Sequence, residues 1–316
     1  MPDPISHQSV VPGAWVRQRL DNVVTELFPQ YSRTQIQQWI KSGELTVDGQ
    51  TSKASLRVMG GESINIESEI VVLKDEPEAI GIDIVYEDGD LLVINKPVGL
   101  VVHPGAGNRS GTLLNALLHH EPQLAELPRA GIVHRLDKDT SGLMVVARNA
   151  ASEQRLIQQL SERSVRRIYH AVVYGTIRPA GRVDKPIGRH RNHRTKMAVS
   201  STGKEAITSF TRLTQFTGHA LVECSLLTGR THQIRVHMQH LGCPLIGDAT
   251  YGGQYRQSAI GGETLNGVLR EFPRQALHAT ELSLIHPGRD IEMSWQQPVP
   301  EDMAHLLDAL RDATGG

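Results

Sequence analysis

Between residues 82 and 227 the chain breaks into short runs rich in valine and isoleucine, each closed by glycine, proline, asparagine or aspartate. They read "IDIVYED", "LLVINKP", "GLVVHPG", "GIVHRLD", "GLMVVARN", "YHAVVYG", "AITSFTRL" and "ALVECSLL". Runs of this length and composition form strands, and turn residues this frequent join neighbours that run in opposite directions. The pattern predicts an α+β fold on a mixed, mostly antiparallel sheet. Apolar residues at helical spacing put helices at "GTLLNALLHH", "ASEQRLIQQLSE" and "THQIRVHMQHLG". A last helix follows Pro300, with Met303, Leu306, Leu307 and Leu310 on one face.

A different pattern precedes these runs. "QRLDNVVTEL" and "YSRTQIQQWIKSG" read as amphipathic helices, the second with Ser32 as its N-cap, Gln35 three residues on and Gly43 as its stop. "LTVDGQ" gives a strand ending in an Asp-Gly turn, and "SINIE" gives another. Residues 14–70 thus make a small helix-helix-strand unit, short for a catalytic core and suited to binding. Residues 1–13 read as a tail, the acidic residues 71–82 as a linker, and residues 83–316 as the main domain.

With 39% hydrophobic and 21% charged residues, the chain has the composition of a globular protein with a sizeable core. No run reaches the roughly 20 apolar residues that cross a bilayer. The start, "MPDPISHQSVVPG", lacks a charged segment followed by an apolar one, so the expected location is the cytosol, with no membrane contact. Cys224 and Cys243 suggest neither a disulfide framework nor a thiolate zinc site. The net charge of -1 hides a segregation. Residues 62–90 hold ten acids and one base, a local -9, so the remainder carries +8. "RHRNHRTK", with Arg189, Arg191, Arg194 and Lys196, and the cluster Arg163, Arg166 and Arg167 both suit a phosphate backbone. A solvated basic loop is the plainer alternative.

Two stretches could carry chemistry. In "GIVHRLDKDTSGLMVVARN" the residues His134, Arg135, Asp137, Lys138 and Asp139 sit between an expected strand at 131–133 and another beginning at Gly142. Reactive groups favour such rigidly held connections, and Thr140, Ser141 and Gly142 can turn the backbone there. An acid so fixed could react or could merely cap the turn, and nothing in the spacing chooses between Asp137 and Asp139. "LLTGRTHQIRVHMQHLG" crowds Arg230, His232, Arg235, His237 and His240 together, with residues 232, 235 and 239 on one helical face. A metal held by His232, His237 and His240 would lack the nearby acid of a hydrolytic H-E-x-x-H site. Arg235, flanked by Ile234 and Val236, reads as half buried and in need of a carboxylate partner.

Together, "AGIVHRLDKDTSGLMVVARN", "RIYHAVVYG", "TGRTHQIRVHMQHLGCPLIGDATYGG" and "INKPVGLVVHPGAGNRSGTLLNALLHH" resemble the RluA family of RNA pseudouridine synthases. The resemblance covers nearly the whole chain, and residues 14–70 are similar to the family's α-L type RNA-binding domain. It implies that Asp137 is the nucleophile and Asp139 structural. It further implies that Tyr169 stacks on the target base and meets the C5 proton, that Arg235 partners the aspartate, and that Arg135 enters the RNA where the uridine flips out. Further RNA contacts are expected at His134, Arg189, Arg191, Arg194, Lys196, Arg230 and Arg33. The implied reaction converts uridine to pseudouridine with no metal and no cofactor. Its implied substrate is 23S rRNA, free or in an assembling large subunit, in the stem-loop at the subunit interface, and its agent a monomer. Two rivals remain: a catalytically silent RNA-binding factor, and a nucleosidase, which would call for two carboxylates.

Overall fold

The computed structural model describes residues 4–31, 33–69, 76–105, 108–193, 195–252 and 255–314. The chain divides into two compact units, Met1–Lys74 and Asp75–Gly316.

The first unit contains β1 (Pro4–Val10), α1 (Leu20–Leu27), α2 (Arg33–Ser42), β2 (Leu45–Val47), β3 (Gln50–Thr51) and β4 (Ser63–Glu69), with sheet order β1-β4-β2-β3. Both expected helices form, and Ile36, Trp39 and Ile40 bury their shared face against Leu20, Val23 and Val24. The expected cap Ser32 lies outside the described residues. Asp48 and Gly49 both take positive φ (51° and 75°), which gives the two-residue turn between β2 and β3. The reading of residues 1–13 as a tail needs correction. Residues 4–10 pair along the whole of β4, from Pro4 opposite Glu69 to Val10 opposite Ser63. An edge strand is held by backbone hydrogen bonds and one buried apolar side chain, here Ile5, so it leaves little pattern in the sequence.

The second unit follows as β5 (Asp83–Glu87), β6 (Leu91–Lys96), α3 (Leu113–His120), β7 (Ser141–Ala147), α4 (Ala150–Glu162), β8 (Arg166–Tyr174), β9 (Ala180–Asp184), β10 (Ile187–Arg189) and β11 (Met197–Val199). Then come β12 (Ile207–Phe216), β13 (His219–Leu226), α5 (Gln233–His240), α6 (Gly262–Glu271), β14 (Leu277–Ile285), β15 (Glu292–Gln296) and α7 (Glu301–Thr314). The main sheet runs β5-β6-β7-β14-β8-β13-β12-β9, with β15 also on β14, while β10 and β11 form a separate hairpin. Among the described strand pairings of this sheet only β7 with β14 is parallel, as a mixed, mostly antiparallel sheet requires.

Alternation along the strands divides the core between the two faces. Leu92, Ile94, Tyr169, Ala171 and Val173 join α3 and α5 on one face. On the other, Leu91 and Val93 pack with Leu156 of α4, and Val172 and Tyr174 with the apolar faces of α6 and α7. Each such fully buried aliphatic side chain contributes about 2 kcal/mol. The described part of the expected linker, residues 76–82, belongs to this unit. Glu78 N–H donates to the Asn115 carbonyl at 3.0 Å, and Ile80 and Ile82 pack on the core. Residues 70–75 lie outside the described residues.

Two expected strands are absent. In "GLVVHPG" only isolated bridges form, Val101 to Thr112 and Gly105 to Asn108, and in "GIVHRLD" only Ile132, to Val146. Residues Pro128–Gly131 make a tight turn in which Arg129 and Ala130 take left-handed φ (55° and 52°), so the chain enters the charged stretch from outside the sheet.

Gly142 shows how tightly that stretch is clamped. Its φ is +111°, and a Cβ there would lie 2.3 Å from the Ala279 carbonyl oxygen and 2.6 Å from its nitrogen on β14. Both obstacles are backbone, so Gly142→Ala is expected to lower stability by about 3 kcal/mol. Urea denaturation checks this, and an unchanged midpoint would refute the close approach.

Candidate active site

Asp137 sits at the head of a turn whose Thr140 N–H donates to the Asp137 carbonyl at 3.1 Å. Lys96, fully buried at the end of β6, fastens this turn. Its ammonium donates to the carbonyls of Pro97 (2.7 Å), Leu100 (3.0 Å) and Lys138 (2.9 Å). Burial pushes its pKa down to about 8, against the opposing pull of Asp139 and Asp137. The far side is held from β14 and its approach. Arg274 donates to the Asp139 carbonyl (3.3 Å), Gln275 to the Thr140 hydroxyl (3.1 Å), and Ser141 is bonded to His278 Nδ1 (2.9 Å). The Thr140 and Ser141 hydroxyls therefore reach across to the next strand rather than capping their own turn.

Arg235 on α5 is 6% exposed and has two carboxylate partners. Nε and one terminal nitrogen donate to the two oxygens of Asp248 (2.7 and 2.9 Å), and the other terminal nitrogen donates to Asp137 Oδ2 at 2.9 Å. Burial works against the charge, but Asp248 and then Asp137 outweigh it and hold the Arg235 pKa above its ordinary value. The guanidinium also lies over the Tyr251 ring, 5.0 Å from its centroid. The Tyr251 hydroxyl accepts from Met197 N–H (2.9 Å) and is bonded to His232 Nδ1 (2.7 Å), while His232 Nε2 stands 3.8 Å from Asp137 Oδ1. His232 is not on the helix. It precedes α5 in the left-handed region, φ 57°, an uncommon conformation for a non-glycine residue.

Asp137 opens onto a cavity of 760 Å³ that is also lined by His103, Arg129, His134, Arg135, Arg167, Tyr169 and Arg230. That volume accommodates a nucleotide. Asp137 is the one carboxylate among the lining residues, against four guanidiniums, so the cavity favours an anionic ligand. A recess of 50 Å³ shares Asp137, Tyr169, Arg135 and Arg230 and reaches Arg235. Tyr169 is buried on β8, and burial raises its phenol pKa, so the hydroxyl stays protonated.

Residues 90–240 match a family model described as RNA pseudouridylate synthase, and residues 18–64 match one for the S4 domain. A Pseudomonas aeruginosa protein named Ribosomal large subunit pseudouridine synthase D is 50% identical over 312 residues, 98% of each chain. A protein of the same name from Escherichia coli K12 is 50% identical over 296 residues, covering 93% of this chain and 91% of its own. The chain belongs to the RNA pseudouridylate synthase family. The solved structure titled Human RNA Pseudouridylate Synthase Domain Containing 4 is 29% identical with a TM-score of 0.58, over 72% of this chain and 93% of that one. The synthase is thus an isomerase with an N-terminal S4 domain.

Of the residues singled out in sequence, the cavity gathers Asp137, Tyr169, Arg135, His134 and Arg230 in this synthase, with Arg235 beside them. Arg230 donates to the Glu205 carbonyl at 2.9 Å. His134 has Nε2 occupied by the Val145 N–H (3.1 Å), which leaves it a structural acceptor on that side. Arg189 and Arg191 are exposed at the β10–β11 hairpin, where Lys196 is tied to the Thr250 carbonyl at 2.8 Å. Arg194 lies outside the described residues. Arg33 is exposed and donates to the buried Asp21 at 2.7 Å, beside Arg19, which bonds the same carboxylate. His237 spends both ring nitrogens on Thr208 (2.8 Å) and the Lys185 carbonyl (3.0 Å), so the three histidines do not converge on a metal.

Sequence reasoning missed Lys96, Asp248 and Tyr251. It matched the need of Arg235 for a carboxylate with Asp137, whereas the two-point pairing goes to Asp248. The quoted string "GDATYGG" held that signal, an acid and an aromatic three residues apart in a turn.

Burial pushes His134 down to about 3, with Arg167 adding to the effect, from an ordinary 6.5. The unfolded chain therefore takes up this proton first. Stability is fully present above about pH 6.5 and falls towards pH 3, by at most about 1.4 kcal/mol per pH unit for this one group. His134→Gln, which keeps an acceptor, should be less acid-sensitive than the native protein between pH 7 and pH 4.5 in denaturant titrations. An identical stability gap at both pH values would remove His134 from the account.

Proposed function

We propose that this synthase converts uridines of large-subunit (23S) ribosomal RNA to pseudouridine, in the stem-loop at the subunit interface, with Asp137 as nucleophile and without a cofactor. The observation that carries the reading is the isolated carboxylate: Asp137, held by Arg235, faces a nucleotide-sized cavity otherwise rich in guanidiniums. The names of the relatives support the choice of RNA. The choice of stem-loop rests on the full-length resemblance.

The chemistry needs few parts. The N1–C1' bond of uridine breaks, the uracil turns, C5 bonds to C1', and the C5 proton leaves while N1 gains one, with no net oxidation. A stacked uridine cannot reach Asp137, so the base must flip out, and the exposed Arg135 at the cavity wall is suited to take its place in the RNA. Tyr169 offers a ring for the base to lie on, and its neutral hydroxyl can pass the C5 proton on to solvent. Arg235 keeps the carboxylate aimed without being consumed. Residues 14–70 act as an RNA-binding accessory, with Arg19 and Arg33 held in position by Asp21 to meet phosphate. Arg189, Arg191, Arg194, Lys196 and Arg230 extend the basic contact.

Incubation with 23S rRNA tritiated at uridine C5 tests the nucleophile. Asp137→Asn is expected to release tritium at no more than about a thousandth of the native rate while still binding RNA. Release at the native rate would sink the assignment. The accessory role has its own test. Arg33→Gln should weaken RNA binding several-fold and lower the slope of log affinity against log salt by about one, leaving turnover at saturating RNA intact. An unchanged salt slope counts against a phosphate contact there.

A further inference from the structure

The basic cluster Arg163, Arg166 and Arg167 does not act as a unit. Arg163 pairs with Glu205, and Arg166 pairs with Glu281 at 3.3 Å, both at the surface. Arg167 turns the other way. It is 6% exposed, lines the cavity, and has no carboxylate partner among the described residues. One terminal nitrogen reaches the Leu226 carbonyl at 3.5 Å, the outer limit of a hydrogen bond, and its buried Nε has no partner. The other terminal nitrogen lies beside Gly229, where a Cβ would stand 2.9 Å away, so the absence of a side chain at 229 makes room for it. A buried cation left without a counter-charge is costly unless a ligand supplies one.

The proposed reaction supplies one. When the N1–C1' bond breaks, its electron pair departs with the uracil, whose negative charge spreads over N1, O2 and O4. This holds whether Asp137 attacks C1' or first removes a ribose proton. Arg167 and Tyr169 are two residues apart on β8, so their side chains share one face of the strand and one cavity wall. A base lying on Tyr169 with its sugar towards Asp137 has an edge facing Arg167.

We propose that Arg167 is a catalytic residue that stabilises the uracil anion between bond cleavage and re-formation, and keeps it from leaving the cavity. The proposal rests on the pseudouridine synthase reading of this same site. When C5 attacks C1', the pair passes back into the new bond, Asp137 is released, the C5 proton goes to solvent and N1 takes one up from solvent, so nothing is oxidised or consumed. The charge on Arg167 is needed only while the base is free.

The test compares native protein, Arg167→Gln and Arg167→Lys in single turnovers on RNA with uridine or 5-fluorouridine at the target, reading the rearranged nucleoside in digests. 5-Fluorouracil is the more acidic base and leaves more readily. Arg167→Gln should lose about 10²- to 10³-fold in rate on uridine with RNA affinity within about threefold of native. That deficit should shrink at least tenfold on 5-fluorouridine, and Arg167→Lys, which keeps the charge, should fall between. Equal deficits on both RNAs, no deficit, or weakened affinity with an unchanged rate, as a phosphate contact would give, each overturn the proposal. If Arg167→Gln fails to fold, the same ratio measured on Arg167→Lys decides. A native protein that rearranges neither RNA would instead refute the parent reading.

Discussion

A guanidinium almost out of reach of water organises the second unit. Arg235 cannot shed its proton, so its burial demands carboxylate on every side that water has left. Asp248 meets two of its nitrogens from a turn whose own N–H groups, at Thr250 and Tyr251, bond back to the same carboxylate. Tyr251 covers one face of the guanidinium, and Asp137 meets the remaining nitrogen. The position of Asp137 is therefore over-determined, by Arg235 at its side chain and by Lys96 and Arg274 through the backbone of its turn. A carboxylate so held can face a substrate without first reorganising, which is what electrostatic catalysis requires.

The same arrangement links the basic hairpin to the site. Met197 on β11 donates to the Tyr251 hydroxyl, which is bonded to His232, 3.8 Å from Asp137. Lys196, next along, is tied to the Thr250 carbonyl. Residues expected to meet RNA and residues expected to act on it thus share the segment 248–251. Contacts at the hairpin bear on the same turn that pairs with Arg235.

How much of this was legible depends on what each element uses to hold itself in place. Helices α3 and α7 and strands β6, β7, β8 and β13 bury continuous apolar faces, and apolar periodicity found them, as it found α4 and β12 on fewer buried residues. Strand β14 was hidden because it lies inside the sheet with His278, Thr280 and Ser283 buried along it, which breaks the apolar run. The opposite error at "GLVVHPG" and "GIVHRLD" has the same root, since apolar residues that pack under the cavity look like strand residues in sequence. At the site, spacing marked Asp137 and Asp139 equally. Only the family resemblance separated them, because the separating contact spans 98 residues of sequence to Arg235.

The count of carboxylates bears on the remaining rival chemistry. A nucleosidase or glycosidase that breaks the bond and stops commonly uses two carboxyl groups, one to assist departure and one to activate water or trap the sugar, roughly 5 to 9.5 Å apart. Asp137 stands alone among the lining residues, and Asp248, the nearest acid in its network, is fully buried with both oxygens spent on Arg235 and on backbone N–H groups. Among the described residues that line the cavity, no second acid is placed to deliver water to a sugar carbon. The cationic lining acts in the same direction, because a uracil anion held among guanidiniums has an electrostatic reason to stay. A site that retains its leaving group beside the carbon it left favours re-formation of a bond over hydrolysis, and C5 is the atom that a turned uracil presents.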